Sequence, residues 1–138
     1  MNRWIPAALL AAAVYFLISG LLLAELAGHA PTQSARFAWR MTSWIIGALT
    51  IAAHFGWEQL RLRSTPLATA LHVACGVAIG MSALATAALI RALVTGTGKP
   101  GLLVFAIVLW PLVGGLPTFL VTLAGASVLR RVQSSPGP

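Results

Sequence analysis

Charge is scarce in this chain and one-sided: nine Lys and Arg stand against two acids, Glu25 and Glu58, in 138 residues. Soluble domains carry about a quarter of their residues as charged side chains, so a charged share of 8% excludes that class. Glu25 and Glu58 sit at opposite ends of different hydrophobic stretches, which rules out paired-carboxylate catalysis. The single Cys75 leaves no partner for an internal disulfide and reads as a small packing residue. No Walker loop, G-x-S-x-G or H-E-x-x-H pattern is present, and Gly96-Thr97-Gly98-Lys99 is too short for a phosphate loop and follows no strand.

Apolar residues make up 59% of the chain, with a mean hydropathy of +0.91. They form four stretches, about 4–26, 37–60, 66–93 and 102–130. Each reaches the ~20 residues that cross a hydrocarbon core of about 30 Å. In lipid every backbone amide must be paired internally, which predicts helices; alternation at period two is absent, which removes the barrel. The fold expected is an all-α integral membrane protein, a four-transmembrane-helix bundle with short loops, in a single domain over 1–132 with a disordered polar tail at 133–138. Asn2 and Arg3 ahead of an apolar run resemble a signal peptide, but the run is longer than the usual ~7–15 residues, so a retained helix is expected.

A net charge of +7 could mean nucleic acid, but the basic residues collect where spans end, as anchors to lipid phosphates. Trp4, Trp39, Trp44 and Trp57 read as parts of aromatic belts, and no nucleic-acid partner is expected. Four spans put both termini on one side with Arg3, Arg61, Arg63, Arg130 and Arg131; Arg36, Arg40, Arg91 and Lys99 fall on the other. The positive-inside rule then favours cytoplasmic termini in a bacterial inner membrane.

Turn chemistry divides the chain. Gly28 and Pro31 bracket the first loop, and Thr95 through Gly101 is rich in turn formers. Thr65 can cap the third helix with Pro66 in its first turn, which predicts a tight antiparallel hairpin between the second and third helices. Gly76 and Gly80 form a GxxxG on the third helix, and helical spacing adds His72, Ala83 and Ala87 to that packing stripe. The second helix carries its own stripe of Ser43, Gly47, Thr50, His54 and Glu58.

His54 and His72 are equally far in sequence from Arg63, so they lie at one depth, about 9 Å inside the helix ends. Ionisable groups at such a depth are costly and mark candidate sites. Two imidazoles from different helices can hold one b-type haem; His54, Glu58 and His72 together suit a divalent metal; imidazoles can also pass protons. The simplest account is that both rings hydrogen-bond to each other, to Thr50 or to water and fix the hairpin's register. Glu58 is expected to pair with Arg61 or Arg63 in the headgroup region, and Glu25, His29, Arg36 and Arg40 form a second polar rim at the opposite end. No metal is expected; the cofactor expectation is none, with haem b as the alternative.

Trp110-Pro111-Leu112-Val113-Gly114-Gly115-Leu116-Pro117 places two prolines inside the fourth span, where each removes an amide donor and crowds the carbonyl four residues earlier. A kink or an unwound segment is expected, with Trp110, Pro111, Gly114, Gly115, Pro117 and Thr118 lining a pocket. No internal repeat supports an inverted-repeat transporter. The functional reading is a non-enzymatic accessory or self-associating subunit of a membrane complex, partnered by lipid and by another membrane protein or further copies of itself. A haem-binding redox protein and a small transporter built on the broken fourth helix are the alternatives.

Overall fold

A computed structural model describes residues 4–96 and 98–134. The expected tail beyond Ser134 lies outside the described residues, while Gln133 and Ser134 themselves continue the last helix. The described residues are helical without a strand. Helix α1 (Trp4–His29) is α-helical over Trp4–Val14 and Leu23–His29, with a π-helical stretch at Tyr15–Leu22 between them. Helix α2 covers Gln33–Trp57 and continues as a π turn over Glu58–Leu62; α3 is Pro66–Thr95 and α4 is Pro100–Ser134.

Three of these helices, Trp4–His29, Pro66–Thr95 and Pro100–Gln133, are long and apolar enough to cross a membrane, as an integral membrane protein requires. Between its ends α2 carries Arg36, Arg40, His54 and Glu58, which dilute its hydropathy. The helix starts follow from local chemistry. Pro6 falls in the first turn of α1, where no intrahelical amide bond is lost. Thr32 accepts a hydrogen bond from the Ala35 amide at 3.2 Å to cap α2. Thr65 does the same for α3 through the Ala68 amide at 3.2 Å, with Pro66 opening the helix. The α2–α3 turn is closed by Arg63 in the left-handed region (φ 49°), and the Ser64 amide donates to the Glu58 carbonyl at 3.2 Å.

The hairpin differs from its expected form. Its two arms meet mainly near the turn, because α1 lies in the cleft between α2 and α3. Small residues permit the approach: a Cβ at Gly76 would stand 3.3 Å from the Ala8 carbonyl oxygen, and one at Gly80 3.3 Å from that of Ala12. The Tyr15 ring wedges between α2 and α3, 3.1 Å from the Cβ positions of both Gly47 and Gly80. The interior is built of Ala8, Ala12, Ala70, Val73, Val77 and Ala85, whereas large apolar side chains such as Leu9, Leu49 and Phe105 point outward. That inversion of a soluble core suits lipid as solvent, where close backbone approach holds helices together.

Helix α4 packs chiefly along α3 and runs without interruption through Pro111 and Pro117, so the expected unwound segment is absent. Thr118 Oγ1 donates to the Gly114 carbonyl at 2.7 Å and Thr122 Oγ1 to the Thr118 carbonyl at 2.6 Å, adding side-chain bonds to the ladder beyond the prolines.

Candidate functional site

Glu58 is the largest fully buried side chain among the described residues, at 0% exposure. The reason is local. The chain leaves α-helical geometry for a π turn at Glu58, and the turn aims the carboxylate at α3 and away from the surface where Arg61 and Arg63 are exposed. The expected interfacial ion pair is therefore not formed. Instead Ser64 Oγ donates to Glu58 Oε2 at 2.6 Å, His72 Nδ1 approaches the same oxygen at 3.1 Å, and His54 Nε2 stands 3.9 Å from Oε1. The His54 contact is beyond hydrogen-bond distance and the His72 contact lacks hydrogen-bond alignment, and His54 Nε2, Glu58 Oε1 and His72 Nδ1 are buried without another partner.

The two histidines thus converge on one carboxylate from different helices. His54 is one turn before Glu58 on α2, and its side chain is 3% exposed; His72 comes from α3 and is 19% exposed. The Trp4 indole stacks on His72 with ring centres 4.2 Å apart and planes 4° from parallel. Gln59 Nε2 donates to Thr69 Oγ1 at 2.6 Å and ties the π turn to the first turn of α3. Arg61 leaves the cluster to lie 6.0 Å above the Trp57 ring.

This geometry does not suit a haem held by both rings, because a macrocycle between them would displace the Glu58 carboxylate and the outer face of His72 is covered by Trp4. Among the described residues no group of three or more His, Cys, Asp or Glu side chains is disposed to hold a metal ion. What the arrangement can do is hold a proton. A buried carboxylate with two imidazoles and one hydroxyl, and no guanidinium or ammonium among those contacts, can lower its burial cost by taking up a proton.

Other predicted residues are placed differently. Thr50 Oγ1 donates to the Ile46 carbonyl at 2.8 Å and lines two cavities with His54. One is a groove of about 500 Å³ between α1 and α2, walled by Pro6, Leu10, Val14 and Trp57; the other is an interior void of about 10 Å³ bounded by Tyr15, Val73 and Gly76. Gly76 and Gly80 are buried against α1. On α4 the proposed pocket residues diverge: Trp110 and Pro117 are exposed, while Gly114 faces Met81 and Val77 and Gly115 faces Ala74 and Ala78 of α3. Gly114 and Gly115 thus belong to the packing seam between α4 and α3.

At the opposite end, Glu25 accepts from Arg91 Nη1, and His29 Nδ1 lies 2.9 Å from the Glu25 carbonyl oxygen. Arg36, Arg40, Ser43 and Ser19 line a cavity of about 380 Å³ there. Ser19 and Ser43 are joined reciprocally, each hydroxyl donating to the other's carbonyl at 3.4 and 3.0 Å. Trp4 and Ser64 were not legible as site residues. Each is brought to the site by the position of α1 or by the π turn, and hydropathy records neither. Comparison with known protein families, with curated proteins and with solved structures finds no match to this chain.

Proposed function

We propose that this chain is a four-span membrane protein, with both termini cytoplasmic in a bacterial inner membrane, whose Glu58–His54–His72 cluster binds and releases a proton. The observation that carries this reading is the complete burial of Glu58 against two imidazoles and a hydroxyl with no arginine or lysine partner among its contacts. An isolated carboxylate in lipid is costly, and protonation removes the charge. The histidines bring ring nitrogens, which can accept or donate a proton, up to that carboxylate.

The test uses dicyclohexylcarbodiimide, an apolar reagent that captures protonated carboxyl groups within membranes. With two acids in the chain, intact-mass and peptide analysis reads the site directly. One adduct on Glu58 is expected, lost in Glu58→Gln, with Glu25 protected by its exposure to water and its pairing with Arg91. A Glu58 that stays unmodified under conditions that label a buried model acid overturns the reading.

A second reading, the non-enzymatic accessory or self-associating subunit, is favoured by α4. Only 11% of its most apolar window is buried, and Leu102, Phe105, Leu109, Leu112, Leu116 and Leu120 are exposed. Such a face can receive another membrane helix as readily as lipid. Native mass spectrometry from lipid nanodiscs tests it, with a multimer expected and a uniform monomer counting against self-association.

A further inference from the structure

We infer that the cavity lined by Arg36 and Arg40, between α1 and α2, is a binding site for the phosphate of an anionic phospholipid headgroup. It is independent of the proton-binding reading of Glu58, and takes from the four-span reading only the placing of this end of the molecule at a membrane face.

Unmatched charge is the first observation. The sequence holds two acids, and both are engaged elsewhere. Glu58 is buried near the other end of α2, while Glu25 accepts from Arg91 Nη1 and has His29 Nδ1 3.8 Å from its second oxygen. Among the described residues Arg36 and Arg40 have no ion pair. Four residues apart on one helix, they present their guanidinium groups on the same face. Counted from Gln33 at 1.5 Å per residue, they stand about 5 and 10 Å along α2, where a charge near lipid is costly without a counter-ion. An anion at this cavity would supply it, and would ease the passage of α2 as a fourth span.

The walls say which anion fits. The cavity holds about 380 Å³, within the ~300–1,000 Å³ of small-molecule sites. Ala27 and Gly28 of α1 form one side, and nothing lies within 4 Å of a Gly28 Cβ position, so that side leaves room. Ser19 and Ser43 line the part further from the helix ends, but their hydroxyl hydrogens are already given to each other's carbonyls. The donors left are the N–H groups of two guanidiniums. A tetrahedral phosphate can receive two such forks from different directions, and arginine matches phosphate bidentately.

The surroundings favour a lipid as the source. Trp44 lines the cavity about one turn beyond Arg40 and is exposed, and Phe37, Met41 and Ile45 form an exposed apolar stripe alongside. With its phosphate on the arginines, a phospholipid would lay its acyl chains along Trp44 and Ile45, towards the middle of α2. A free phosphate has nothing to place there. Basic pockets between membrane helices take anionic headgroups in this way.

The delipidated full chain in detergent, titrated separately with phosphatidylglycerol, phosphatidylcholine and inorganic phosphate and read by native mass spectrometry, tests the site. One phosphatidylglycerol per chain is expected, held roughly tenfold or more tighter than phosphatidylcholine. The double variant Arg36→Gln, Arg40→Gln should weaken it by roughly tenfold or more, and Arg36→Lys, Arg40→Lys, which keeps the charge and loses the forks, by severalfold. Arg61→Gln, Lys99→Gln removes the same charge away from the cavity and should leave binding unchanged. Circular dichroism establishes that each variant is folded. Equal retention of the two lipids overturns the site, as does full retention in the folded Arg36→Gln, Arg40→Gln variant or an equal loss in Arg61→Gln, Lys99→Gln. Displacement of phosphatidylglycerol by millimolar inorganic phosphate overturns the lipid source and assigns the cavity to the free anion. Binding in detergent depends on neither span number nor Glu58, so a negative result leaves both of those readings to carbodiimide labelling and topology mapping.

Discussion

The seam between α1 and α3 is tight enough that adding a single methyl group should have opposite effects at a seam glycine of α3 and at an open glycine of α2. At Gly80 an added Cβ would stand 3.1 Å from Tyr15 Cδ1, 3.3 Å from the Ala12 carbonyl oxygen and 3.4 Å from Tyr15 Cβ. The carbonyl is backbone of a packed helix and Tyr15 is wedged against Gly47, so neither can move aside alone. Overpacking of this kind costs about 1–3 kcal/mol. Alanine regains about 0.5–1 kcal/mol of helix preference over glycine, which leaves Gly80→Ala destabilised by roughly 1 kcal/mol. Gly56 is in a helix too, but nothing lies within 4 Å of its Cβ position, so Gly56→Ala should be stabilised by about 0.5–1 kcal/mol. The difference of about 2 kcal/mol is roughly 30-fold in the unfolding constant. Titration from dodecyl maltoside into SDS, followed by circular dichroism, measures it. Gly115→Ala should side with Gly56→Ala, because its nearest neighbours would be at an ordinary 3.7 Å. A Gly80→Ala variant as stable as Gly56→Ala would refute the close packing of α1 on α3.

The Thr65 cap should also be measurable: Thr65→Ala leaves the Ala68 amide without its side-chain acceptor and should cost about 1 kcal/mol in the same titration. An unchanged midpoint would mean that the cap does not stabilise α3. Arg130 Nη2 donates to the Ser64 carbonyl at 3.5 Å, so the α2–α3 turn and the end of α4 share one end of the molecule. Single cysteines introduced at Arg63 and Gln133 in a Cys75→Ser background should then react with an impermeant maleimide from the same side; labelling from opposite sides would remove the four-span topology.

How much of this arrangement could be read from sequence varies with the physics behind each element. Helix starts were legible because Thr65 and Pro66 act within a few residues of themselves. The stripe from Ser43 to Glu58 was legible as periodicity. Its partner was not, because no local signal says that α1 will enter the hairpin; that depends on Ala8, Ala12, Gly76 and Gly80 fitting together across the chain. Glu58 was misread for a specific reason. Arg61 and Arg63 are its nearest opposite charges in sequence, but the π turn over Glu58–Leu62 changes which face the carboxylate occupies. On the fourth helix the prolines, whose local penalty is real, suggest a kink or an unwound segment, and the unwound segment is not formed. The helix nevertheless stays continuous, with Gly114 and Gly115 seated on α3 and threonine hydroxyls bonded to backbone carbonyls.

The π-helical stretch at Tyr15–Leu22 gives α1 two rotational phases. Each residue of an α-helix advances its face by about 100°, so the wider turn shifts everything after it relative to everything before it. Ahead of the stretch, Ala8 and Ala12 turn towards α3; within it, Ser19 turns towards Ser43 of α2. Helix α1 thereby serves two different neighbours along its length, and its register can be altered by shortening it without changing any side-chain type. Removing one residue from the stretch would restore α-helical winding and leave only one of those two alignments in place.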